Sequence, residues 1–257
     1  MLLSPTPQKS KNELQLLGAV QINSTSFFVC KNEEGHICLE TGKEEKIQKT
    51  LVERMIALNP KIKRLLHNYN IKLKIDTKTL RDLSAGHMNE TCKVATGIYS
   101  MLSENFKNAI NEDTLKEACI LHDLGKVLIP SKVLNKPAKL NKKERAIMNI
   151  HSTLGYELLK TQDIKKETLD LIKYHHQNWK HSGYPAIISK AQISDIGVQI
   201  ISTADKYSAL REARVYRHQL SRMEALLILY KEVLEGKILK EVYKALYAYA
   251  VKHDEAV

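Results

Sequence analysis

Apolar residues recur every three to four positions along most of the chain after residue 86. Met88, Cys92, Ala95, Ile98 with Tyr99, Leu102 and Phe106 form one such stripe, the mark of an amphipathic helix. A second helix opens at Asn111, a side chain suited to capping a first turn, with Glu112 and Asp113 where the helix dipole favours acids. It carries Leu115, Ala118 and His122 on one face and is expected to end at Gly125. Asn141, with Glu144 three residues on, resembles a capping box and opens a helix bearing Ile147, Ile150, His151, Leu154 and Leu158. Further helical periods run near 167–176, 196–211, 222–234 and 238–252.

The front of the chain has another rhythm. Short β-prone runs (Gly18–Ile22, Ser26–Cys30, His36–Glu40) are separated by turn residues Asn23 and Asn32–Gly35, which predicts a small meander. Residues 43–58 return to helical spacing through Ile47, Leu51, Met55 and Leu58. Asn59-Pro60 punctuates, and Ile71–Asp76 is a candidate for one more extended segment. The pattern predicts a mainly α protein: a helical bundle over residues 81–257, preceded over residues 1–80 by a small α+β segment of short strands plus a helix. No sheet is expected within 140–250.

Composition narrows the class. Hydrophobic residues are 43% of 257, enough for a real core. No window of about 18 apolar residues exists to span a membrane. The first ten residues lack the apolar run of a signal peptide, so the cytoplasm is the expected compartment. Cysteines 30, 38, 92 and 119 then read as small apolar residues rather than bridges. Cys30, His36 and Cys38 would make half a zinc site, but no second pair of ligands stands nearby and a hairpin explains the cluster. The formal charge is +11, divided as +5 before residue 81 and +6 after. A spread positive field attracts phosphorylated small molecules as readily as nucleic acid. RNA-binding motifs are absent and aromatics are 6%, which makes nucleic-acid binding the lesser reading.

The informative pattern is where ionisable residues fall on the apolar faces. His122 lies on the Leu115/Ala118 stripe, His151 on the Ile147/Leu154 stripe, and His175 and His176 extend Leu171/Ile172. Asp205 shares a face with Ile201 and Ala204, Asp123 is one step round from His122, and His87 begins the helix of Met88. A single histidine on such a face is usually a hydrogen-bonded core residue. Seven polar groups entering one bundle cannot satisfy each other, because burying each unpaired costs a few kcal/mol or about that order and charges far more. A pair of divalent cations satisfies them all. Adjacent ligands on a helix point about 100° apart, so His122-Asp123 and His175-His176 can reach different sides of a metal pair, with Asp123 between. Two carboxylates leave such a centre positive, ready to hold an anionic phosphate and to acidify a water.

His122-Asp123 within HDLGKVLIP, then NKPAKL, His151, HHQNWKHSGYP and ISTADKYSAL, resembles the HD superfamily, and within it the HD-GYP subfamily. The likeness runs from about Gly86 to Leu234; residues 1–80 match no domain, and take the place where that family carries varied sensory or accessory segments. The resemblance implies an HD-type bundle with a dinuclear or trinuclear iron or manganese centre that hydrolyses cyclic dinucleotides, chiefly cyclic di-GMP. By motif it assigns His87, His122, Asp123, His151, His175, His176 and Asp205 as metal ligands. It gives Asp123 the bridging role and Lys126 the scissile phosphate. It gives Arg214 and Arg217 the substrate phosphates, a task suited to guanidinium forks, and Gly183-Tyr184-Pro185 the signature loop, which lines the pocket or meets signalling partners.

The departures are also specific. Trinuclear members carry Glu where this chain has Leu83, so two metals are expected and not three. Gln177 replaces a Glu, Lys180 an Asp, His181 a Gly, Ser208 an Asp and Val215 a Pro. Three readings result. The first is a cyclic dinucleotide phosphodiesterase, favoured by the intact tripeptide. The second is a general HD phosphohydrolase on other nucleotides or phosphoesters, kept open by the drifted outer positions. The third is a catalytically silent module that binds a dinucleotide or partner proteins, opposed by the intact ligand set. Oligomeric state is open, with a homodimer common among small signalling domains.

Overall fold

The computed structural model describes residues 15–22, 25–31, 37–41, 52–53, 55–76, 78–79, 87–186, 195–212 and 218–253. At the front, β1 (Gln15–Ile22), β2 (Thr25–Lys31) and β3 (Ile37–Thr41) form an antiparallel sheet in the order β1-β2-β3. The meander expected from the turn residues is therefore present. Cys30 and Cys38 are register partners across β2 and β3, as a hairpin requires. His36 lies outside the described residues.

From residue 87 on, the described chain is helical with short connections. The helices are α1 (Pro60–Asn68), α2 (His87–Met101), α3 (Glu104–Lys107), α4 (Glu112–Leu121), α5 (Ser131–Leu134), α6 (Lys142–Asn149), α7 (His151–Leu159), α8 (Lys166–Tyr174), α9 (Asp195–Arg211), α10 (Arg222–Leu234) and α11 (Lys240–His253), with a 3-10 helix at Leu124–Leu128 between α4 and α5. The expected caps are in place. Asn111 accepts from Thr114 N, and Asn141 with Glu144 closes a full capping box. No strand lies within the described part of 140–250.

Two boundaries differ from the periodicity. The helix from Asn111 stops at Leu121 rather than Gly125, and the helix from Asn141 is broken at Ile150 into α6 and α7. Both breaks sit beside a histidine of the apolar stripe, and their cause emerges with the site. Ile71–Asp76 joins no sheet; Asp76 N donates to Val127 O at 2.9 Å, so this segment runs beside the 3-10 helix instead.

Helix α9 sits in the middle, against α2, α4, α8, α10 and α11. Val198, Ile200, Ile201 and Ala204 are fully buried, and so are polar Gln199, Ser202 and Thr203 on the other faces, as befits a helix surrounded by others. Gln199 is used: its Oε1 accepts from Leu239 N at 3.2 Å and fixes the entry to α11. α11 closes on α2 at Gly97, where a Cβ would come 2.3 Å from the Tyr249 ring. Strand β1 lies against α4 and α2.

One apolar core runs from Val52, Met55, Ile62 and Leu66 through to Ala250, continuous across residue 80. The join is partly polar. Buried Asn59 caps α1 by accepting from Lys61 N at 3.1 Å, and its amide donates to Glu157 O at 2.8 Å and Glu157 Oε2 at 2.6 Å. One side chain thus starts α1 and bolts it to α7. Asn59→Ala removes the cap and leaves Glu157 short of a buried donor, so unfolding in urea should show a loss of about 2–3 kcal/mol. A loss no larger than that of an exposed substitution would mean α1 is held by apolar packing alone.

Candidate metal centre

Three helix ends are built the same way. The last carbonyls of a helix have no partner within it. At the end of α4, His122 Nδ1 meets Cys119 O at 2.7 Å; at the α6–α7 break, His151 Nδ1 meets Met148 O at 2.8 Å; at the end of α8, His175 Nδ1 meets Ile172 O at 2.7 Å. A carbonyl can only accept, so each Nδ1 carries the proton. Each Nε2 is then a bare lone pair, aimed inward. This accounts for the two shortened helices: the imidazole takes over a carbonyl at the point where the helix ends.

The lone pairs converge. His151 Nε2 lies 3.3 Å from His175 Nε2 and 3.1 Å from His176 Nε2. Burial and the neighbouring imidazoles push His175 well below the usual histidine range, and His176 down to about 3, so both rings are neutral, and the single proton of His175 is the one on Nδ1. Asp123 sits between with one oxygen towards each side. Its Oδ1 is 3.3 Å from His151 Nε2 and 3.9 Å from His175 Nε2; its Oδ2 is 3.4 Å from His122 Nε2. The potential ligand atoms form two groups, Asp123 with His151, His175 and His176, and His87 with His122 and Asp205; within each, all atoms lie within 4.8 Å of one another. His122 Nε2 and Asp123 Oδ1 are buried with no hydrogen-bond partner among the described residues. Buried acceptors facing acceptors are costly without a cation. The residues present fit divalent metal: imidazole nitrogens and carboxylate oxygens, with no thiolate.

Positive charge stands in at the rim. Lys126 Nζ pairs with Asp123 Oδ2 at 2.5 Å. Burial would raise the Asp123 carboxyl, but the Lys126 ammonium holds it well below the usual carboxylate range. His87 Nε2 contacts Asp205 Oδ1 at 2.8 Å, and its Nδ1 contacts Glu212 Oε1 at 2.9 Å. Burial would lower His87, yet the hydrogen bonds to Asp205 and Glu212 prevail and push it up to about 10. Asp205 is held far below its usual range against burial, chiefly by His87.

Close backbone approach completes the frame. A Cβ at Gly125 would fall 1.9 Å from His151 O, so only glycine lets the 3-10 helix pass α7. The loop after α8 folds back over the paired histidines. A Cβ at Gly183 would meet His176 O at 2.1 Å, and Tyr184 stacks on His176 with ring centroids 4.6 Å apart. Gln177 clamps that loop: its Oε1 accepts from Gly183 N at 3.0 Å, and its Nε2 donates to Pro185 O at 2.5 Å. Trp179 N donates to Lys237 O at 2.8 Å, anchoring the loop to the turn between α10 and α11.

The profile of the HD domain family matches residues 52–238, well over half of the chain. The chain belongs to the HD-domain family. Among curated relatives, 3'3'-cGAMP-specific phosphodiesterase 2 of Vibrio cholerae is 38% identical over 109 residues, which is 41% of this chain and 20% of that protein. The cyclic di-GMP phosphodiesterase of Thermotoga maritima is 33% identical over 125 residues, 47% of this chain and 33% of that protein. The chain thus spans about a third or less of the length of these relatives. The solved HD domain of the L. monocytogenes phosphodiesterase PgpH aligns over 79% of this chain and 95% of its own at 16% identity, with a TM-score of 0.45.

In this HD domain the seven residues singled out in the sequence, His87, His122, Asp123, His151, His175, His176 and Asp205, lie in the two groups. Lys126 and Tyr184 border them, while Arg214, Arg217, Val215 and Leu83 lie outside the described residues. Two departures from the HD-GYP pattern acquire a structure. Gln177 uses both ends of an amide, where a carboxylate could not donate to Pro185. His181 adopts φ 55°, in the left-handed region that suits the glycine of the pattern. Ser208 is buried, and its Oγ has no hydrogen-bond partner among the described residues.

Sequence reasoning missed Glu212. The signal was there: 205, 208 and 212 follow helical spacing along α9 and one residue past its end, where Glu212 N still donates to Ser208 O, so an acid at 212 projects along the Asp205 face. A carboxylate on the outer nitrogen of a ligand imidazole orients it and raises its basicity. Glu212→Ala should therefore weaken divalent-metal binding by about 10–100-fold, read by calorimetry on metal-stripped protein; an unchanged affinity removes Glu212 from the centre. His87 is protonated at neutral pH and must shed its Nε2 proton to bind metal there, while its Nδ1–H goes on donating to Glu212. Metal affinity should accordingly rise with pH up to about 10, and calorimetry in buffers of differing ionisation heat should register proton release. Binding that is pH-independent between neutrality and that value would mean His87 is not displaced.

Proposed function

We propose that this chain is a metal-dependent phosphodiesterase that hydrolyses a cyclic dinucleotide, with cyclic di-GMP as first choice. The observation that carries the reading is the convergence of unprotonated histidine nitrogens on both oxygens of Asp123. The printed activities of the relatives, on cyclic di-GMP and 3'3'-cGAMP, support the substrate class. Two ions are proposed, with His151, His175 and His176 holding one, His87, His122 and Asp205 the other, and Asp123 shared. Iron or manganese suits this nitrogen and oxygen donor set. Bound there, the ions would activate water and polarise the phosphate.

The remaining work falls to side chains. Lys126 is partly exposed at the rim and tethered to Asp123, a position from which its ammonium would stabilise charge growing on a non-bridging phosphate oxygen. Burial pushes the Tyr184 phenol up, so its hydroxyl stays protonated and can donate. Arg214 and Arg217 are proposed to contact substrate phosphates, and Gly183-Tyr184-Pro185 to line the pocket or to meet a signalling partner. Residues 1–80 are proposed to form an accessory or sensory segment, the last part of which, from residue 52, falls within the HD match. No described helix is long and apolar enough to cross a membrane.

A general HD phosphohydrolase acting on other nucleotides is the second reading, favoured by the Lys180 and Ser208 departures. Metal analysis with a screen of cyclic dinucleotides, linear dinucleotides and a generic phosphodiester separates the two. Cleavage of only the generic ester selects the second reading, and tight binding of a cyclic dinucleotide without cleavage selects a silent module. Lys126→Ala should keep its metal yet lose about 10²-fold or more in turnover. Full activity in that variant would remove Lys126 from the reaction.

A further inference from the structure

We propose that α10 is the seam of a homodimer, in which two copies of this chain pair antiparallel about a two-fold axis. This goes beyond the phosphodiesterase reading and does not depend on it. Helix α10 is apolar on two faces. Ala225, Leu226 and Leu229 are buried against the bundle. About a third of a turn away, Met223, Leu227, Tyr230 and Leu234 are exposed by 50, 56, 45 and 71%. Their spacing of four, three and four residues is that of a coiled-coil seam. A core-facing helix needs only the first face; monomers rarely leave a second contiguous one in water.

Charge names the occupant. One flank of the stripe carries Glu224 and Lys231, both exposed; Glu224 Oε2 caps α10 by accepting from Ser221 N at 2.8 Å and from Ser221 Oγ at 2.7 Å, which leaves Oε1 for a further partner. A two-fold axis crossing the stripe between Leu227 and Tyr230 sets like flank against like flank and reverses the chain direction. Met223 then faces Leu234 of the partner subunit, and Glu224 comes beside Lys231 of the partner subunit, with the same pair repeated by symmetry. A parallel pairing would instead set the Glu224 and Lys231 flank of one copy against the tyrosine flank of the other, so that neither charge meets its counterpart. The other flank is aromatic: Tyr230 and Tyr243 have ring centroids 5.6 Å apart, and half-exposed Tyr247 lies on the same helix one turn beyond Tyr243. Self-complementary charge over a self-complementary apolar stripe is what an isologous interface requires.

A 13-residue helix pairing with itself, with the tyrosine flank, falls towards the lower end of stable interfaces, about 1,200 Å² in total. The dimer should therefore dissociate on dilution. The test is sedimentation equilibrium of the full chain from about 1 to about 100 μM, with circular dichroism and metal content as controls for folding. Wild type should be dimeric at the upper end. Leu227→Asp should weaken association by at least about 100-fold, as expected for a central apolar anchor. Lys231→Glu should weaken it by about tenfold, because both symmetry-related contacts become repulsive, and Lys231→Arg should leave it unchanged. A monomeric wild type at about 100 μM overturns the proposal, whether another segment or a different partner covers the stripe. So does a folded Leu227→Asp variant that still dimerises, or a Lys231→Glu variant that associates as tightly as wild type.

Discussion

Three imidazole N–H groups, each spent on a carbonyl three residues earlier, are the interaction on which the rest of this structure depends. That bond does two things at once. It ends a helix by satisfying a carbonyl that the helix would otherwise leave open, and it fixes the tautomer, so that the other ring nitrogen must face inward as a lone pair. His122, His151 and His175 are therefore placed by helix termini and not by loops. Termini of packed helices are rigid, and rigidity is what a ligand set needs if it is to be ready before the ion arrives.

The same arrangement is unfavourable by itself. Lone pairs and a carboxylate oxygen crowd together out of water, and the apolar frame around them keeps them there. What charge compensation the protein has comes from two contacts at the edge, Lys126 on Asp123 and the His87 link between Asp205 and Glu212. Both compete with metal for the same carboxylate oxygens. The structure thus trades stability of the empty site for readiness, a common feature of functional sites.

Much of this was legible in the chain. Period-3.6 stripes located nearly every helix after residue 86, turn residues located the three strands, and polar groups on apolar stripes located all seven members of the two clusters. What could not be read was local competition between a side chain and the backbone. Periodicity runs straight through Ile150, because it counts faces and not hydrogen bonds; the break comes from His151 and the Met148 carbonyl. Ile71–Asp76 has the alternation of a strand but joins no described sheet, and its Asp76 N donates to Val127 O instead. Gln177 read as a lost carboxylate, and only the folded loop reveals which atoms its amide joins. Glu212 was visible by spacing, yet without the position of His87 nothing distinguished it from the many acids on solvated faces.

The clamp at Gln177 has a consequence for how the domain responds to its surroundings. An amide does not ionise in water. It grips Gly183 and Pro185 with one acceptor and one donor that neither acidity nor alkalinity alters. A carboxylate at the same place could accept from Gly183 but could never donate to the Pro185 carbonyl while charged. The grip on Gly183 and Pro185 is therefore indifferent to proton concentration, whereas the contacts of His87 at the opposite edge of the cluster are not.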